Sequence, residues 1–64
     1  MTAMTQADDA IAKFKALLES GMPIAKAKMK SRVYALIHQE RLTLEQLETV
    51  RQISESFRIR KHTG

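Results

Sequence analysis

Catalysis needs groups that converge, and few residues here are able to. The two histidines, His38 and His62, lie far apart, and neither has metal-ligand spacing around it. There is no cysteine, which excludes disulfides, thiolate nucleophiles and thiolate metal sites. Asp8 and Asp9 are neighbours on a helical segment and point about 100° apart, so they cannot share a proton as a dyad. Glu45 and Glu48 can meet at i, i+3, but at the start of a helix they are more simply partners of its dipole. The glycines are Gly21 and Gly64, so no glycine-rich loop cradles a phosphate, and no serine sits in a nucleophile-elbow setting. A non-enzymatic protein is expected, with no catalytic residue, metal, cofactor or small-molecule substrate.

The chemistry left is that of positive charge. Eleven Lys and Arg stand against 7 Asp and Glu, a formal net charge of +4. The excess is local. Lys26, Lys28, Lys30, Arg32 and Arg41 crowd residues 22–41 against Glu40 alone, and Arg58, Arg60 and Lys61 gather at the C-terminal end. A basic helix and a basic tail are what a phosphate-contacting surface needs. The leading expectation is a small regulatory protein that binds nucleic acid, DNA in particular, through Lys26, Lys28, Lys30, Arg32, Arg58, Arg60 and Lys61. Stacking on single strands has little to work with, because Phe14 and Phe57 fall on core stripes and leave Tyr34.

These residues must be positioned by helices. Ala7, Ala10, Ile11, Phe14, Leu17 and Leu18 follow the i, i+3, i+4, i+7 spacing of a helix over residues 6–20. Thr5 is its candidate N-cap, Asp8 and Asp9 complement the positive end of its dipole, and Gly21 suits a left-handed C-terminal cap. Pro23 opens a second helix, over 24–39, where its missing N–H costs nothing. Thr43 with Gln46 matches a capping box, and Leu42 with Leu47 a hydrophobic staple, at the start of a third helix over 44–58. Leu47, Val50, Ile53 and Phe57 form its predicted inner face, which Ser54 interrupts. Residues 59–64 are expected to fray as a basic tail. No segment alternates with period two. The expected fold is therefore all-α, a single domain over residues 1–64, built as a small three-helix bundle or as a helical hairpin with an additional N-terminal helix.

On a helical wheel the second helix has two faces. Met22, Ala25, Val33 and Leu36 fall within about 40° of Met29, with Ile37 at about 80°. That stripe is the predicted core side. Ile24, Ala27, Ser31, Tyr34, Ala35 and His38 lie opposite. The basic residues line the seams between, with their stems along the core. The alternative function rests on this second face. Its small residues would let another helix approach closely, with Tyr34 and His38 as polar-tipped contacts, so that Ala27, Ser31, Tyr34, Ala35 and His38 form a partner-protein or dimer interface.

Sixty-four residues bury a modest core. With no staple available, self-association is the expected aid to stability, and a homodimer its commonest form. No apolar run approaches the roughly 20 residues that cross a bilayer, and residues 1–9 have neither the positive nor the apolar region of a secretory signal. A cytoplasmic protein without a membrane partner is expected.

Overall fold

The computed structural model describes the backbone of residues 6–63 and the side chains of residues 6–58. The predicted cap Thr5 and the side chains of Arg60, Lys61 and His62 lie outside the described residues. The fold is all-helical there, with α1 at Gln6–Glu19, α2 at Ile24–Lys30, α3 at Val33–His38 and α4 at Leu44–Thr63. Four helices replace the predicted three because the second predicted helix is broken in two.

α1 ends as its sequence indicates. Gly21 takes φ +99°. Its N–H donates to the Leu18 carbonyl at 3.0 Å and the Met22 N–H to the Leu17 carbonyl at 3.2 Å. Those two bonds are the Schellman pattern, which satisfies carbonyls that the last turn leaves open. The same pattern closes α3 at Glu40, with φ 54°. There the Glu40 N–H donates to Ile37 at 3.1 Å and the Arg41 N–H to Leu36 at 2.9 Å.

The break between α2 and α3 has a geometric cause. Ala27 and Ser31 are buried, and so are Val33 and Leu36. In an unbroken helix Ser31 and Val33 would point about 200° apart, so both cannot face one core. Arg32 takes φ 71° and ψ 6°, which resets the phase between them. Its backbone ends one helix and starts the next, since its N–H donates to Met29 at 3.3 Å and its carbonyl accepts from Leu36 at 3.0 Å. A left-handed conformation costs a residue other than glycine about 1–2 kcal/mol.

Ser31 supports the joint from inside. The Val33 N–H donates to its hydroxyl at 3.4 Å, and that hydroxyl donates to the Lys28 carbonyl at 3.3 Å. It stands where the second bond of a Schellman pattern would run directly.

The core is Ala7, Ala10, Ile11, Phe14 and Leu18 of α1 with Ala27, Val33, Leu36 and Val50. Phe14, Ala27 and Val33 are wholly buried. The predicted stripe of the second helix holds in its later half and fails in its first. Ala25 is exposed and Met29 is 70% exposed, while Ala27 takes the inward place.

α4 starts with the predicted capping box. The Gln46 N–H donates to Thr43 Oγ1 at 3.1 Å and the Thr43 N–H to Gln46 Oε1 at 3.0 Å. Leu42 packs against the core, but Leu47 stays 36% exposed. Ser54 does not interrupt the inner face. It is buried beside Val50, its hydroxyl donating to the Val50 carbonyl at 2.9 Å. The helix also runs past 58 to Thr63, as no Gly or Pro intervenes before Gly64.

α1 and α4 run parallel. Gln46 Nε2 donates to Asp8 Oδ1 at 3.0 Å near their starts, and Lys15 and Glu19 share a hollow with Ile53 and Phe57 further along. The α2–α3 leg is the return path between them.

Candidate functional site

A cleft of about 540 Å³ opens between α1 and the α2–α3 leg. α1 contributes Gln6, Asp9, Ala10 and Lys13, residues spaced so that one helical face carries them all. The joint contributes Lys30, Ser31 and Arg32, and α3 contributes Ala35, Leu36 and Gln39. The buried Ala10, Ser31 and Leu36 make the floor, and the exposed charged and amide side chains make the rim.

Three cations, Lys13, Lys30 and Arg32, therefore share an opening with one carboxylate, Asp9. Among the described residues none of the three is held in an ion pair; the pair that does form, Glu48 with Arg51 at 3.7 Å, lies away from the cleft on α4. The charges stay exposed, so little desolvation opposes their presence, and they remain available to an anion. The hollow between the first turns of α1 and α4 has the opposite character, with Asp8 and Glu45 among Ile11, Thr43, Gln46 and Thr49. Charge is thus sorted by sign between two recesses that both use the start of α1.

The residues singled out by sequence fall in several places. Of the predicted phosphate-binding set, Lys30 and Arg32 line the cleft. Lys26, Lys28 and Arg58 do not, Lys28 being half-buried and the other two exposed. The side chains of Arg60 and Lys61 lie outside the described residues.

The predicted partner face does not exist as one surface. Ala27 and Ser31 are 0% and 3% exposed, because the break turns the first half of the leg over. Ala35 faces the cleft. Tyr34 and His38 remain outside and engage each other, with Oη and Nε2 2.9 Å apart and the rings edge to face at 4.7 Å.

Gln6, Asp9, Lys13 and Gln39 were not legible as site residues. Their spacing on α1 and α3 is ordinary amphipathic spacing, and only the packing of α1 against the joint gives them a common role. Among the described residues no group of three or more His, Asp or Glu is placed to hold a metal ion. No helix of the described residues is long and apolar enough to cross a membrane.

No family model, curated protein or solved structure matches the chain.

Proposed function

We propose that the protein is a small, non-enzymatic regulatory protein that binds DNA by taking backbone phosphates into the cleft between α1 and the α2–α3 joint. The observation that carries this reading is the presence of Lys13, Lys30 and Arg32, from separate segments, around one opening, with Asp9 the sole carboxylate there among the described residues. Arg32 brings a planar fork that matches two phosphate oxygens at once, and the two lysines act as point charges. The Gln6 and Gln39 amides supply neutral donors for phosphate or sugar oxygens. Asp9 repels the backbone from one edge and so favours one path across the cleft. Contacts of this kind give affinity and orientation, not sequence preference. Self-association remains a separate proposal, and a monomer mass at every concentration in sedimentation would remove it.

The test is duplex binding followed from about 50 to 200 mM salt. Three phosphate contacts predict a log K against log[salt] slope of about −2.7. Absence of binding at the lowest salt, or a slope near zero, would overturn the reading.

A further inference from the structure

We infer that the Ser31–Arg32 joint is a two-state element and that occupancy of the cleft selects its broken form; the inference rests on the DNA-binding reading above and adds its regulation. The broken form has identifiable weaknesses. A non-glycine residue, Arg32, holds φ 71° where neither Gly nor Pro compels a break. The hydroxyl relay through Ser31 has long bonds of 3.3 and 3.4 Å, outside the usual range for hydroxyl and amide donors.

A competing arrangement is written in the same residues. An unbroken helix over 24–38 aligns Ala25, Met29, Val33 and Leu36 on one stripe. It would turn Met29, now 70% exposed, toward the core and carry Ala27 and Ser31 outward. It would also dismantle the cleft, because Lys30, Ser31 and Arg32 are the cleft's wall on that side. A phosphate that binds only the broken form shifts the equilibrium toward it.

The decisive variant keeps every cation. Ser31→Ala removes the relay and favours the continuous helix, whereas Lys13→Ala removes one charge and leaves the joint alone. With the full chain and a short DNA duplex, Ser31→Ala is expected to raise helical CD and to weaken binding about tenfold, as when the competent fraction falls to a tenth of the parent's. Lys13→Ala should weaken binding with unchanged CD. In the unsubstituted chain, the Arg32 backbone NMR shifts should move toward left-handed values as duplex is added. Ser31→Ala binding like the parent, or Arg32 shifts that are left-handed throughout and do not respond to duplex, would overturn the coupling while leaving DNA binding intact. If Ser31→Ala fails to fold, the Arg32 titration alone decides. No binding by the parent chain overturns the function, and the coupling falls with it.

Discussion

The two ends of α3 solve the same problem in different ways. At its C-terminal end, the chain turns through Glu40 and reaches Thr43 and Gln46, whose side chains and backbone N–H groups bond reciprocally at 3.0 and 3.1 Å. That corner is specified by its own residues. At the N-terminal end, the break at Ser31 and Arg32 is specified by what lies beneath it: Ser31 and Val33, both buried, cannot share a core unless the helix resets. A corner made locally tolerates change in its surroundings, while a joint made by packing fails when the packing does. The joint is also where the cations collect, so the less locally determined end carries the candidate site.

That contrast can be broken most forcefully at Ala27. Ala27→Glu would bury an unpaired carboxylate, a change that costs more than about 3 kcal/mol and should abolish the cooperative thermal transition followed by CD. Ala35→Glu, on the same leg but exposed on the cleft wall, should change stability by less than about 0.5 kcal/mol. It should still weaken duplex binding, because it adds a negative charge to the cleft.

Thr43→Ala removes the cap from the locally specified corner, and the urea midpoint should fall by the equivalent of about 1 kcal/mol. Replacing each left-handed residue by glycine sharpens the comparison. Arg32→Gly and Glu40→Gly should each raise stability by about 0.5–1 kcal/mol in the same denaturation experiment, the relief of strain exceeding the entropy that glycine adds to the unfolded chain. Arg32→Gly alone should lose DNA affinity, since Glu40 does not line the cleft. The smallest effect belongs to Arg51→Ala, which breaks an exposed ion pair and should shift stability by less than about 0.5 kcal/mol.

Legibility in the sequence follows the same division. The all-helical class, the left-handed Gly21 and the Thr43–Gln46 box were readable because each rests on residue types a few positions apart. The split of the second helix was not, because Ser31-Arg32 contains no breaker and the wheel supplied a good stripe through Ala25 and Met29. That stripe is the wrong one for the first half of the leg. Its choice depends on α1, whose small Ala7 and Ala10 lie buried in the same core as Ala27. The candidate site was half-readable for the same reason. Lys30 and Arg32 announce themselves in a basic run, whereas Lys13 joins them only through the packing of α1 against the joint.

Lys13 therefore offers the most direct test of the cleft. Duplex binding by Lys13→Ala and by Lys26→Ala should be compared across the same salt range, since both remove one exposed lysine and only the first lines the cleft. If phosphates enter the cleft, Lys13→Ala lowers the magnitude of the salt slope by about 1 and Lys26→Ala leaves it unchanged. Equal effects from the two substitutions, or a larger one from Lys26→Ala, would contradict it.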